Sequence, residues 1–166
     1  MIRYGVKPDG NSSVISPILF PRTFGERHVV VWNPEEVLGK EFYKVIPSQN
    51  VLAIAAQLNC TFAILQREIL GLVNLGDGAI KFSADDVAMF LMLPELTDAQ
   101  VRKPFERLAS RPMNPMSVEL RAEDRRELDT VIFDAMGLSS RERTELYSAV
   151  DELVASRISK AQTIGT

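Results

Sequence analysis

The run Phe42-Tyr43-Lys44-Val45-Ile46-Pro47-Ser48-Gln49-Asn50-Val51-Leu52-Ala53-Ile54-Ala55-Ala56-Gln57-Leu58-Asn59-Cys60-Thr61-Phe62-Ala63-Ile64-Leu65-Gln66-Arg67-Glu68-Ile69-Leu70-Gly71 changes periodicity at a single proline. Up to Ile46 it is aromatic and β-branched, a composition that suits the half-buried pleated surface of a strand. Beyond Pro47, the residues Val51, Leu52, Ala55, Leu58, Phe62, Leu65 and Ile69 recur at steps of three and four, which lines one face of a helix. The pattern predicts one long amphipathic helix over residues 49–70, closed at Gly71 and covering one face of a sheet. That combination places the chain in the α+β class.

Upstream, Pro8-Asp9-Gly10-Asn11 is a turn signal. Val14-Ile15 and Ile18-Leu19-Phe20 form a β-type run interrupted by Pro17, which predicts an edge strand or a bulge. His28-Val29-Val30-Val31-Trp32 is the strongest strand pattern in the chain. With Phe42-Tyr43-Lys44-Val45-Ile46 it makes a small mixed or antiparallel sheet. Downstream, residues 71–78 form a glycine-rich loop, Ala79-Ile80-Lys81-Phe82 resumes an extended run, and a short segment from Asp85-Asp86 ends at Pro94. From Thr97 onward the pattern is helical. Thr97 with Gln100 and Ser139 with Glu142 have capping-box spacing, Pro104 is expected to kink or divide its helix, and Pro112-Met113-Asn114-Pro115 is a linker. Leu128, Val131, Ile132 and Ala135 stripe a helix over 121–136, and Leu146, Val150, Leu153, Val154 and Ile158 stripe the last one. Residues 1–95 are therefore expected as an α/β unit, and 96–166 as a helical segment packing on it.

The chain has 166 residues, of which 46% are hydrophobic and 25% charged, enough for one sizeable core or two small ones. No stretch approaches the roughly 18 apolar residues of a membrane span, and the first residues lack the order of a secretory signal, so cytoplasm is the expected location. The single cysteine, Cys60, has no intramolecular disulfide partner and with the single histidine, His28, cannot build a tetrahedral metal site. Cys60 reads as a small buried helix residue, and His28 as a partly exposed imidazole at the start of a strand. The charge clusters from Arg121 to Asp129 and from Arg141 to Glu145 mix both signs at helical spacing, the pattern of solvated faces with local ion pairs of about 0.2–0.5 kcal/mol each.

Catalytic motifs are tested and set aside. A glycine-rich cofactor loop after a strand is missing, and Asn114-Pro115-Met116-Ser117 lacks the second proline and the aromatic residue that would stack on a flipped adenine; Asn33-Pro34-Glu35-Glu36 fails likewise. The 71–78 loop follows a helix, has no Gly-Lys-Ser/Thr and carries Asp77, so it suits neither a dinucleotide nor a phosphate. Asp9, Glu41 and Lys44 offer nuclease residue types, but the three-residue step from Glu41 to Lys44 puts their side chains on opposite faces of a strand. The chain is therefore read as no enzyme by itself, with no cofactor. Net charge is −3, which disfavours a sequence-independent DNA binder. Residues 1–48 alone are slightly basic, with six Lys/Arg against five Asp/Glu. Arg22, Arg27, Lys40 and Lys44, flanking the connections between the first strands, are the candidate DNA contacts.

Several segments occur in an order that carries more weight than each alone. They are Ile18-Leu19-Phe20-Pro21-Arg22, Val29-Val30-Val31-Trp32-Asn33, Phe42-Tyr43-Lys44-Val45-Ile46-Pro47, Leu58-Asn59-Cys60-Thr61-Phe62, Gly71-Leu72-Val73-Asn74-Leu75-Gly76-Asp77-Gly78-Ala79-Ile80-Lys81-Phe82, and Leu128-Asp129-Thr130-Val131-Ile132-Phe133-Asp134-Ala135-Met136-Gly137-Leu138. Together they resemble the C-terminal target-recognition region of adenine-specific DNA methyltransferases of restriction–modification systems, without the catalytic domain. The fourth is similar to that family's Leu-Asn-Ser-Thr segment, with cysteine in place of serine. The resemblance implies a DNA target-recognition module that works with a separately encoded or lost methyltransferase domain. The alternative is a structural or protein-interaction remnant that touches no nucleic acid.

Overall fold

A computed structural model describes residues 15–73, 78–93 and 95–164. The turn expected at Pro8-Asp9-Gly10-Asn11 and residues 74–77 of the glycine-rich loop lie outside the described residues. The architecture is α+β, with small antiparallel sheets at one end and a stack of helices behind them.

The first sheet has β1 (Ile18–Pro21) at its centre, between β3 (Val31–Trp32) and β4 (Phe42–Val45). Ile18 faces Trp32 on one side and Val45 on the other, and Phe20 faces Tyr43. The edge position expected from Pro17 is thus corrected: Pro17 precedes the first paired residue and costs the ladder no donor, so the strand it opens can be central. At Arg22 the chain passes to the second sheet. The Arg22 N–H donates to the Glu41 carbonyl at 3.0 Å, while the Arg22 carbonyl accepts from Phe82 N–H at 2.9 Å. There β2 (Thr23–Phe24) pairs with β6 (Ile80–Lys81), which pairs with β5 (Leu72–Val73). Phe20 lies edge-on to Phe24, Phe82 and Phe90, with centroids 5.3, 5.5 and 5.4 Å away. Such pairs are worth about 0.5–1.5 kcal/mol each beyond the area they bury, and they join the two sheets.

The helix expected over 49–70 is two helices, α1 (Val51–Asn59) and α2 (Thr61–Leu70), with Cys60 extended between them at φ −77° and ψ 168°. The apolar stripe runs through the break unchanged; buried polar bonds interrupt it. Thr61 donates its N–H and its hydroxyl to the Asp129 carboxylate at 2.7 and 2.5 Å, and the Asn59 carbonyl accepts from Arg125 at 2.7 Å. The Asn59 side chain reaches the other way, accepting the Val30 N–H at 2.9 Å and donating to the Val30 carbonyl at 2.7 Å. This also explains why the strand expected over 28–32 is shortened to Val31–Trp32: the amide of Asn59 takes the backbone partners that a neighbouring strand would supply.

Then follow α3 (Ala84–Ala88), α4 (Asp98–Ala109), α5 (Met116–Glu119), α6 (Glu123–Ala135) and α7 (Ser140–Ile164). Pro104 does not divide α4. Val101, Phe105 and Leu108 on the same helix are buried, and α4 packs against both α1 and α6, so tertiary contacts hold the turn that lacks one hydrogen bond. Both capping boxes form, at Thr97 with Gln100 and at Ser139 with Glu142. α7 lays Leu146, Val150, Val154 and Arg157 inward and packs along α2.

The solvated face expected from Arg121 to Asp129 is only partly so. Arg125 and Asp129 are fully buried, as is Glu119, which accepts from Arg125 at 3.0 Å and from Arg111 at 2.9 Å. Tyr147 adds a third donor to Asp129 at 2.7 Å. These charges stand behind the break at Cys60 and tie α1, α2, α5, α6 and α7 together. Burial raises the Asp129 carboxyl above its ordinary range against the pull of Arg125 and its donors. For Glu119 burial pushes the same way, but Arg111 and Arg125 outweigh it and hold the carboxyl low. In the cluster from Arg141 to Glu145, Arg141 and Glu145 are exposed, as expected, and pair at 2.7 Å, while Arg143 is half-buried beside the Phe133 ring.

Candidate nucleic-acid interface

Arg22, at the junction of the sheets, lies with its guanidinium 5.1 Å from the centre of the Tyr43 ring. The Tyr43 hydroxyl donates to the Phe82 carbonyl at 2.9 Å, so the ring is held from both sheets. Arg22 is half-buried, and its Nε is buried without a partner among the described residues. Lys40 is exposed and precedes Glu41, whose carbonyl receives the Arg22 N–H. These two residues therefore lie at the same end of the β1–β4 pair.

Lys44 stands opposite Leu19, three pairs along from Arg22. Strand alternation puts Phe20, Tyr43 and Arg22 on one face and Leu19 and Lys44 on the other. Arg27 is exposed beyond β2, and its carbonyl accepts from the Arg67 guanidinium at 3.2 Å. The four candidate cations thus border the sheets without meeting at one point. Lys81, absent from the sequence-based set, is exposed on β6 directly opposite Thr23, one residue from Arg22. It lay in an extended run with nothing to mark it.

These cations share a lack of carboxylate partners among the described residues with Lys103, Arg126 and Lys160 on the helices. Among the described residues Arg22, Arg27, Lys40, Lys44 and Lys81 make no ion pair. Most arginines of the helical half do: Arg102 with Glu106, Arg107 with Glu127, Arg111 with Asp124, Arg121 with Asp151, Arg141 with Glu145 and Arg143 with Asp134, whereas Arg126 lies over the Tyr147 ring without a carboxylate. Arg67 and Arg157 are buried and share Glu68. An unpaired surface cation meets a phosphate without first giving up a carboxylate, and among the described residues five such cations border the sheets against three on the helices.

The two residues that composition offered for nucleophilic or acid–base chemistry are sealed. His28 is fully buried, a correction to the partly exposed imidazole expected. It stacks on Phe24 at 5.0 Å and its Nε2 lies 2.7 Å from the Leu58 carbonyl. A carbonyl only accepts, so Nε2 carries the hydrogen and Nδ1 has no partner among the described residues. Burial first, and Arg67 second, hold the imidazole well below its ordinary pKa. The Cys60 thiol is pushed up to about 12 by burial and by Asp129. Asp9 lies outside the described residues. Among those described, no group of three His, Cys, Asp or Glu side chains is placed to hold a metal ion, and no helix is long and apolar enough to cross a membrane.

Compared with known proteins, the chain matches no family model, no curated protein and no solved structure.

Proposed function

We propose that the chain is a non-catalytic DNA-recognition module that acts beside a separately encoded adenine methyltransferase domain. The observation that carries this reading is the distribution of its unpaired cations: most arginines of the helical half are neutralised by carboxylates, leaving Lys103, Arg126 and Lys160 unpaired there, whereas all five described cations bordering the sheets are unpaired. Arginine beside a strand connection can position the backbone or read guanine with two hydrogen bonds, while lysine contributes a point charge. With a net charge of −3, the rest of the surface repels phosphate, so binding by the isolated chain is weak, oriented and salt-dependent.

Labelled duplexes of varied sequence, titrated at several salt concentrations, test the reading. The logarithm of the association constant should fall linearly with the logarithm of salt, and Lys40→Ala with Lys44→Ala should lower the slope by about two. Absence of binding at every salt concentration, with and without a methyltransferase partner, would remove the proposal. A second reading, a protein-interaction module without DNA contact, is favoured by one observation, the open groove beside β3.

A further inference from the structure

Along β3 the first sheet ends in a groove of about 760 Å³. Val31, Trp32 and Val37 line one wall, and Phe105, Leu108 and Met113 line the other. Trp32 and Phe105 approach to 6.0 Å between centroids across its floor. The backbone of β3 is only partly covered on this side. The Asn33 N–H donates to the Pro17 carbonyl at 2.8 Å, so Asn33 and Val31 turn their backbone groups toward β1, and Val30 and Trp32 turn theirs away. At Val30 the Asn59 amide occupies those outward groups as an added strand would. At Trp32, one pleat further along, the outward N–H and carbonyl face the groove.

Charge selects among possible occupants. Arg111 on the groove wall is held by Glu119 and Asp124, and Glu106 is held by Arg102. Glu35 on the rim and Glu36 beside it are exposed and make no ion pair among the described residues. Two copies joined edge to edge would bring these carboxylates together. We propose that the groove takes an extended cationic segment of a partner protein, which pairs its backbone with Trp32, seats an apolar side chain against the exposed Val37 and sets a lysine or arginine against Glu35. This is β-strand addition to a sheet edge, with main-chain bonds giving affinity and alternate side chains giving selectivity. It stands independently of DNA binding, because the groove lies at the β3 edge and Lys40 and Lys44 lie at the β4 side of the same sheet.

Trp32 is the only tryptophan of the chain, so its emission reports the groove directly. The full chain is titrated with the capped peptide Lys-Thr-Val-Lys-Val-Thr-Lys, with the same peptide carrying Glu for Lys, and with the first peptide N-methylated at its central residues. The expected result is a saturable blue shift with the lysine peptide, at least tenfold weaker binding of the other two, and reversal of the Lys-over-Glu preference in Glu35→Lys with Glu36→Lys. No response to any peptide, equal response to the lysine and glutamate peptides, or a shift that follows self-association measured by sedimentation would overturn the proposal. None of these outcomes depends on DNA, so failure here is separable from failure of the DNA-recognition reading.

Discussion

Replacing Asp129 by alanine removes the acceptor that holds the chain apart at Cys60. Three donors converge on that carboxylate: the Thr61 N–H at 2.7 Å, the Thr61 hydroxyl at 2.5 Å and the Tyr147 hydroxyl at 2.7 Å. Thr61 is fully buried, so two of these donors lose their partner where water does not reach, at about 1–3 kcal/mol each. Tyr147 is half-buried and can turn to solvent. Against this, removing a carboxylate that burial already disfavours gives some stability back. The net expectation for Asp129→Ala is a loss of about 2–4 kcal/mol, a fall in urea midpoint of roughly 1–3 M at the usual slopes. Thr61→Val alone should cost about 1–2 kcal/mol, because its N–H keeps the carboxylate. The two changes should be non-additive by about 1 kcal/mol or more in a double-mutant cycle. A cost below about 1 kcal/mol for Asp129→Ala, or strict additivity, would refute the view that this carboxylate maintains the break between α1 and α2.

Three further expectations concern His28, Cys60 and Gly71. His28 has its folded pKa depressed, so the unfolded chain takes the proton first; its contribution is present above about pH 6.5 and is lost as pH falls below it. His28→Gln, which keeps a donor toward Leu58, should flatten the difference in urea midpoint between pH 7.5 and 5.5, and an unchanged difference would count against the assignment. The Cys60 thiol, pushed up to about 12, should resist a disulfide reagent at pH 8 in the folded protein and react promptly in urea; reaction at equal rates would show the site open. Gly71→Ala should cost about 1–3 kcal/mol by overpacking, since a Cβ there would lie 2.0 Å from Ile80 Cγ2, while Gly25→Ala, with nothing within 4 Å, should cost well under 1 kcal/mol.

The parts of the fold that could be read from the chain were those set by local chemistry. Ile18-Leu19-Phe20 and Phe42-Tyr43-Lys44-Val45 pair as strands, and the side chains of Thr97 and Ser139 meet Gln100 and Glu142 within one helical turn. The break at Cys60 escaped because its cause lies 68 residues away in Asp129, and the apolar stripe is indifferent to it. Arg125 looked solvated for the same reason: its neighbours in sequence are charged, but its partners are Asn59, Glu119 and Met113. In the candidate interface, Arg22, Arg27, Lys40 and Lys44 were visible as basic residues near strand connections. Their lack of carboxylate partners is a property of the folded chain, and Lys81 joins them through the pairing of β2 with β6.

The central claim, that DNA is met by the cations bordering the sheets, is tested most directly by comparing two arginine pairs at one salt concentration. Arg22→Ala with Arg27→Ala should weaken duplex binding by roughly 1–3 kcal/mol if either arginine reads a base. Arg141→Ala with Arg143→Ala, whose guanidinium groups already answer Glu145 and Asp134, should leave it nearly unchanged. Equal losses from both pairs would contradict the account and spread binding over the whole surface.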